Sequence, residues 1–98
     1  MTGEPISAER AYQVGLVNEV VPAVDLRPRA QAVARRIAAN APLSVLAAKR
    51  TVYLTAEHSL SEAYAEADRI WDPVYRSADA QEGPAAFRDK RRPAWTGQ

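Results

Sequence analysis

The chain contains no cysteine, and it has a single histidine among its 98 residues. Without cysteine it can form no disulfide framework, no thiolate zinc site and no cysteine nucleophile. A cysteine-free composition fits a reducing compartment, and the first residues have neither the basic start nor the apolar core of an export signal. We therefore expect a cytoplasmic location.

The chain also lacks an excess of charge of either sign and lacks a long apolar run. Its 13 Lys and Arg residues are balanced by 12 Asp and Glu residues, for a formal net charge of +1. A charge near zero gives no general attraction to nucleic acid or to an acidic membrane surface. No apolar segment approaches the roughly 20 residues that span a bilayer. We expect neither a nucleic acid nor a membrane as a partner.

Most of the chain shows the spacing of apolar residues that is typical of helices. The clearest helix follows Ser59, which with Glu62 forms the sequence pattern of a capping box, and continues past Pro73. We expect Pro73 to kink or fray its last turn and Pro84 to interrupt or bend the final helix, which should reach Lys90. The tail beyond it is predicted to be extended or disordered. The predicted helices begin after Ser7, near Asp25, at Pro42, after Ser59 and after Ser77.

One segment, Leu16–Val21, has the β-branched and apolar composition of a strand, and Pro22 closes it. A single strand has two edges whose backbone groups need hydrogen-bond partners. We therefore expect the rest of its sheet to lie elsewhere, either in an N-terminal part of the same polypeptide or in a partner chain. The change from strand to helix divides the chain into residues 1–22 and a helical region, 23–98.

Titratable residues that could carry chemistry do not form a recognisable catalytic or metal-binding pattern. His58 stands in a predicted turn without nearby metal ligands or a nucleophile. Glu62 and Glu66, and likewise Asp68 and Asp72, are four residues apart, but a general acid and base would need two different environments. We interpret these carboxylates as a solvated helix face and predict no catalytic residue and no metal site.

Two further groups of side chains permit more than one interpretation. The aromatic stripe of Tyr64 and Trp71 could belong to a core or to a subunit interface, and we expect a mixture of both. Basic residues near Trp95 could bind nucleic acid, could attract the phosphates of a small ligand or could form a solvated end of the chain. The basic residues of this cluster are Arg88, Lys90, Arg91 and Arg92.

Two stretches resemble the closing half of the enoyl-CoA hydratase/isomerase, or crotonase, family. The first is a TG turn at Thr2, a helix with an A-E-x-A core and the segment GLVNEVVP that ends at Pro22. The second, Ser77–Pro93, is similar to the family pattern S-x-D-x-x-E-G-x-x-A-F-x-x-K-R-x-P. Between them, Pro42 and Lys49 stand where the family commonly has a helix-opening proline and a lysine. Both motifs in order, with helices between them, cover nearly the whole chain.

The resemblance implies a fold class and a division of labour. The chain would be mostly α: the C-terminal helical, trimerisation part of a crotonase-like α/β spiral fold, with one strand near its N-terminus. The parent family hydrates or isomerises 2-enoyl-CoA thioesters, with acyl-CoA as substrate and no separate cofactor. Its oxyanion-hole amides and catalytic glutamates would lie upstream of Thr2. We therefore expect the isolated chain to be inactive and to contribute to assembly of a trimer-type homo-oligomer.

The resemblance also implies two coenzyme A contacts, Phe87 and Lys90, on a ligand bound mainly by a neighbouring subunit. An aromatic ring can cover adenine or the pantetheine arm, and an ammonium group can meet a phosphate. In the alternative interpretation Phe87 is the last core residue and Lys90 is solvated. Pro84 departs from the family pattern and could shift both residues. A second hypothesis for the whole chain is a free-standing helical interaction module derived from such a fragment.

Overall fold

The computed structural model describes residues 3–98, and this part of the chain is helical. Met1 and Thr2, and with Thr2 the start of the predicted TG turn, lie outside the described residues. The chain divides into two compact units, Met1–Val33 and Ala34–Gln98, and the division predicted at Pro22 stays a prediction. The elements are α1 (Ala8–Gln13), a 3-10 turn (Ala23–Asp25), α2 (Leu26–Ala38), α3 (Pro42–Glu57), α4 (Leu60–Tyr75) and α5 (Ala78–Arg88).

In the first unit, α1 is closed at both ends by hydrogen bonds that its sequence predicts. The Ser7 hydroxyl accepts the Arg10 N–H at 3.1 Å, as expected of a helix N-cap. Gly15 follows the helix with a φ of 74°. The left-handed residue lets the Leu16 N–H reach the Ala11 carbonyl at 2.8 Å, which completes a Schellman motif.

The predicted strand Leu16–Val21 does not form: no residue of the described range 3–98 is in a strand. Its first two residues are used to end α1, because the Leu16 and Val17 N–H groups both point to the Ala11 carbonyl, at 2.8 and 3.4 Å. The remaining residues continue without helix or ladder to the 3-10 turn at Ala23. A strand needs a neighbour that supplies hydrogen bonds, and residues 3–98 offer none. The strand prediction is therefore wrong for this chain.

The second unit is built around an antiparallel pair of helices, α3 and α4. Small side chains, Ala47 and Ala63, are buried at 3% and 4% exposure and allow the two helices to approach closely. The Trp71 indole N–H donates to the Thr51 hydroxyl at 3.0 Å and ties the helices together. The predicted capping box is confirmed: the Ser59 N–H donates to the Glu62 carboxylate at 3.1 Å.

Neither internal proline ends its helix. The helix α4 continues from Pro73 to Tyr75, and α5 continues from Pro84 to Arg88. Fraying at Pro73 and interruption at Pro84 therefore do not occur, and the kink and the bend expected as alternatives stay predictions. Each proline still removes one helical N–H donor. The mostly α prediction is confirmed. None of the helices within residues 3–98 is long and apolar enough to cross a membrane.

Candidate functional site

The two predicted coenzyme A contacts lie at the C-terminal end of α5. Phe87 occupies the last turn of the helix and is 88% exposed, so it is not a core residue. Lys90 lies beyond the helix, which ends at Arg88, and its φ is 52°. Although the two residues are three positions apart, they therefore do not share a face of α5. Their role as coenzyme A contacts stays a prediction.

Lys90 occupies the position that usually belongs to glycine in a Schellman motif. The Lys90 N–H donates to the Phe87 carbonyl at 3.2 Å, and the Arg91 N–H donates to the Ala86 carbonyl at 3.0 Å. A side chain in the left-handed region crowds its own backbone. The two hydrogen bonds of the turn hold the Lys90 backbone in this conformation. Lys90 directly follows the carbonyl end of α5, where a positive charge is favoured.

The residue after Lys90 is anchored to the side of α5. The Arg91 guanidinium donates two hydrogen bonds to the Glu82 carboxylate, at 2.6 and 2.9 Å. The same carboxylate accepts the Ala94 N–H at 2.7 Å. These bonds, led by those from Arg91, lower the pKa of Glu82 to about 2. Glu82 is thus ionised at neutral pH and holds both the arginine and the backbone beyond it.

A second carboxylate, Asp79, holds the end of the tail. Asp79 is only 3% exposed. It accepts the Thr96 N–H at 2.7 Å, the Thr96 hydroxyl at 3.1 Å and the Gly97 N–H at 3.0 Å. The Thr96 amide makes the largest contribution to a lowered pKa of Asp79, against the opposing effect of burial. A buried carboxylate with three donors is satisfied as an anion.

Trp95 connects this tail to the end of α2. Its indole N–H donates to the Ala39 carbonyl at 2.8 Å. Its ring also lies against Gly83, because a Cβ placed there would be 3.5 Å from the ring. We call the contacts of Asp79, Glu82, Arg91 and Trp95 the tail clasp.

The tail clasp explains why the motif that begins at Ser77 contains a serine, two acids and a glycine at these positions. Ser77 caps α5 by accepting the Ala80 N–H at 3.1 Å, Asp79 and Glu82 hold the tail, and Gly83 leaves room for Trp95. The tail has no helix or strand, and hydrogen bonds to Asp79 and Glu82 hold it. A signal was present in the sequence, since two acids three apart on α5 face a basic tail. Sequence reasoning did not connect them.

The basic cluster is accordingly not a uniform solvated patch. Arg91 pairs with Glu82, and Arg88 pairs with the adjacent Asp89 at 2.9 Å. Two of the four cations that nucleic-acid binding would use, Arg88 and Arg91, are therefore neutralised by carboxylates. The cluster offers little unpaired charge for a phosphate backbone.

The remaining candidate residues have structural roles. Glu62 belongs to the capping box, and hydrogen bonds from Ser59 lower the pKa of its carboxyl. Glu66 pairs with Arg69 at 3.0 Å and Asp72 with Arg76 at 2.8 Å, both on the exposed helix surface. No group of three potential metal ligands converges in the part of the chain that the structure describes.

A sequence model of the enoyl-CoA hydratase/isomerase family matches residues 1–98. The chain belongs to this family. Carnitinyl-CoA dehydratase from Proteus mirabilis is 39% identical over 102 aligned residues, which include 100% of this chain and 39% of that protein.

Solved structures agree with the sequence comparison. The enoyl-CoA hydratase from Mycobacterium tuberculosis is 42% identical with a TM-score of 0.93, and the match covers 99% of this chain and 38% of that one. The enoyl-CoA hydratase from Mycobacterium marinum is 41% identical with a TM-score of 0.93 and the same coverage. The chain thus spans about two fifths of the length of these relatives. The predicted helical part of a crotonase-like fold is confirmed.

Proposed function

We propose that this chain serves as the C-terminal assembly and coenzyme-A-contacting part of an enoyl-CoA hydratase/isomerase protein and carries no catalytic residue itself. The parent reaction would be hydration or isomerisation of a 2-enoyl-CoA thioester in the cytoplasm. It would need no cofactor besides the acyl-CoA substrate. Residues 1–22 would continue the catalytic core, and residues 23–98 would form the assembly region of a trimer-type homo-oligomer.

The observation that carries the proposal is the presentation of Phe87 and Lys90. Phe87 leaves 88% of its surface exposed, which is costly for a phenylalanine unless another surface covers it. Lys90 sits in a left-handed turn whose next residue is held by two hydrogen bonds to Glu82. An apolar ring and an ammonium group at the same end of α5 suit a ligand that carries both a purine and phosphates.

The proposal is tested in a covalent chimera. The N-terminal part of the Mycobacterium tuberculosis enoyl-CoA hydratase, up to the start of the match, is joined to residues 1–98. We expect the chimera to hydrate crotonyl-CoA and the isolated chain not to, because the oxyanion-hole amides and catalytic glutamates implied by the resemblance would belong to the N-terminal part. Measurable hydration by the isolated chain would contradict the non-catalytic role.

Within the chimera, Lys90→Ala should raise KM for crotonyl-CoA about tenfold with kcat nearly unchanged, since a charge-assisted contact to a remote phosphate is lost. Arg92→Ala is the matched control, because it removes a nearby exposed cation, and it should leave KM unchanged. Phe87→Ala should raise KM as well. Equal KM values for the Lys90 and Arg92 variants would refute the contact assigned to Lys90.

A further inference from the structure

Glu82 fastens the chain beyond α5 to the side of that helix. Its carboxylate accepts two hydrogen bonds from the Arg91 guanidinium, at 2.6 and 2.9 Å, and one from the Ala94 N–H at 2.7 Å. The Glu82 side chain is only 20% exposed. A two-pronged and partly shielded pair defines a geometry, whereas a mobile surface ion pair contributes little. The position of Arg91 is therefore set by a side chain nine residues earlier.

The Lys90 backbone is held on both sides of its turn. On the helix side, the Lys90 N–H donates to the Phe87 carbonyl at 3.2 Å. On the other side, Arg91 is bonded through its N–H to the Ala86 carbonyl and through its guanidinium to Glu82. The φ of Lys90, 52°, is costly for a residue with a Cβ and persists only where the surroundings hold it. The bonds to Glu82 are part of those surroundings.

Glu82 neutralises Arg91 and leaves Lys90 available. The Arg91 guanidinium is paired with Glu82, and its Nε also lies 3.8 Å from the Asp89 carboxylate. Within residues 3–98 the Lys90 ammonium forms no ion pair and no hydrogen bond. Of these two adjacent cations, one is used to fix the chain and the other can meet an anionic group of a ligand.

Glu82 could influence a phosphate near Lys90 in two opposite ways. As an anion it repels the phosphate, so its removal would by itself strengthen binding. As the anchor of Arg91 it holds the Lys90 turn, so its removal would weaken binding. The first effect is small, because Glu82 and Arg91 form a nearly neutral pair that water and salt screen. We expect the second effect to be the larger one.

We infer that Glu82 is a positioning residue, which acts through Arg91 to hold Lys90 where its ammonium can meet a phosphate of the ligand. Glu82 does not itself touch the ligand. This role rests on the proposed function and adds to it the residue that orients the contact. A lysine whose backbone is fixed before binding loses less conformational freedom when the ligand arrives, and the affinity is correspondingly higher.

The first test is Glu82→Gln in the covalent chimera, which contains all 98 residues of this chain. We expect KM for crotonyl-CoA to rise about threefold with kcat nearly unchanged, because the turn loosens while the Lys90 charge remains. Glutamine keeps the shape of the side chain but removes its charge, so charge repulsion alone would instead lower KM. A KM at or below that of the unmodified chimera would overturn the inference.

Glu66→Gln is the matched control. It makes the same substitution at a glutamate that is also paired with an arginine, Arg69 at 3.0 Å, on α4. The control should leave KM unchanged. An equal rise of KM in the Glu66 and Glu82 variants would show that the effect is not specific to the anchor of Arg91, and would contradict the positioning role.

A double variant separates positioning from a general loss of stability. In the Lys90→Ala background no ammonium is left to position, so adding Glu82→Gln should leave KM within about 1.5-fold. A merely structural contribution of Glu82 would change the kinetic constants by the same factor in both backgrounds. Equal factors in the two backgrounds would therefore overturn the inference.

Hydrogen exchange of the Arg91 amide in the full 98-residue chain tests the anchor without catalysis. Glu82→Gln should speed this exchange about fivefold, since the bond from the Arg91 N–H to the Ala86 carbonyl opens more often. Glu66→Gln should leave it unchanged. An exchange rate that Glu82→Gln does not alter would overturn the inference even if the chimera were inactive.

The same variants distinguish this inference from the proposed function. If Lys90→Ala raises KM but Glu82→Gln does not, the positioning role is wrong and the proposed contact stands. If neither variant changes KM, the contact of Lys90 is wrong and the positioning role is wrong with it. If only Glu82→Gln raises KM, Glu82 does not act through Lys90, and both assignments are overturned.

Discussion

Among residues 3–98, Lys90 is the only residue other than glycine with a positive φ, at 52°. The conformation is costly for any L-residue with a Cβ, and natural chains usually place glycine there. Such strain often marks a position whose side chain is required for function. The unfavourable backbone conformation of Lys90 thus agrees with the proposed role of its side chain as a ligand contact.

Lys90→Gly should stabilise the end of α5 by about 1 kcal/mol, because glycine adopts the left-handed conformation without a steric cost. Hydrogen exchange of the Arg91 amide, which is bonded to Ala86, should slow about fivefold. Lys90→Ala removes the charge but keeps the Cβ, so it should bring no comparable gain. Equal protection in the two variants would show that the turn is not strained.

The clasp carboxylates predict a pH dependence. The pKa of Glu82 is lowered to about 2, and that of Asp79 is also lowered, so each contributes stability only while ionised. That contribution is complete above the usual carboxyl range near pH 4.5 and is lost as pH falls from there through about 2. The indole N–H resonance of Trp95 should shift to its solvated position within this window.

Glu82→Gln is the variant that isolates one carboxylate, since it keeps the shape and removes the charge that binds Arg91. The Trp95 resonance should then be partly solvated already at pH 7. Its remaining titration should follow Asp79 alone. A resonance that does not move between pH 5 and pH 2 in the unmodified chain would contradict the role of the two acids.

At the scale of elements, the sequence predicts helix ends that depend on neighbouring residues, but it does not predict hydrogen bonds between distant segments. The capping box at Ser59 and the glycine stop at Gly15 follow from neighbours within five residues, so sequence alone predicts them. The strand at Leu16 was misread because β propensity cannot supply a partner strand. The bonds of the tail clasp join Asp79 to Thr96 and Trp95 to Ala39, which are 17 and 56 residues apart, and no periodicity encodes such pairs.

The Trp95 ring of the tail clasp limits the size of the side chain that position 83 of α5 can carry. Gly83→Ala should stabilise the helix by about 1 kcal/mol, because glycine is a poor helix former and the added Cβ would meet Trp95 at 3.5 Å, an ordinary contact. Gly83→Leu has the same helical advantage but should displace the ring. Thermal melting followed by circular dichroism should rank alanine above glycine. A lower melting temperature for the alanine variant would show that the ring leaves no room for a methyl group.

At the scale of the whole molecule, helices are well formed while the buried apolar core is small. Within residues 3–98, the apolar residues classed as buried are four alanines and a valine, which contribute little hydrophobic free energy. The sequence argument for further chain rested on the unpaired strand Leu16–Val21, which does not form. The family resemblance instead placed the catalytic part upstream, and the match to about two fifths of each relative agrees with a partial family member. The sequence could not tell which apolar residues of α4 are buried and which are exposed, because core positions and interface positions show the same helical spacing.

The isolated chain should therefore bind the dye ANS and melt over a broad temperature range, whereas the covalent chimera should melt sharply without binding it. The reason is that Leu60 and Tyr64 are each 68% exposed in this chain, and under the proposed function the rest of the fold would cover apolar surface of this kind. Dye fluorescence and calorimetry measure both properties. A sharp calorimetric transition of the isolated chain with no dye fluorescence would contradict this account.

The bond between Trp95 and Ala39 also sets an order of events during biosynthesis. The two residues are 56 positions apart, so a ribosome that adds about 5–20 residues per second makes Trp95 roughly 3–11 s after Ala39. Throughout that interval the Ala39 carbonyl can bond only to water or to a transient neighbour. Formation of the hydrogen bond between Trp95 and Ala39 is therefore a late step. Any factor that acts on the nascent chain before that step meets a chain in which this bond is absent.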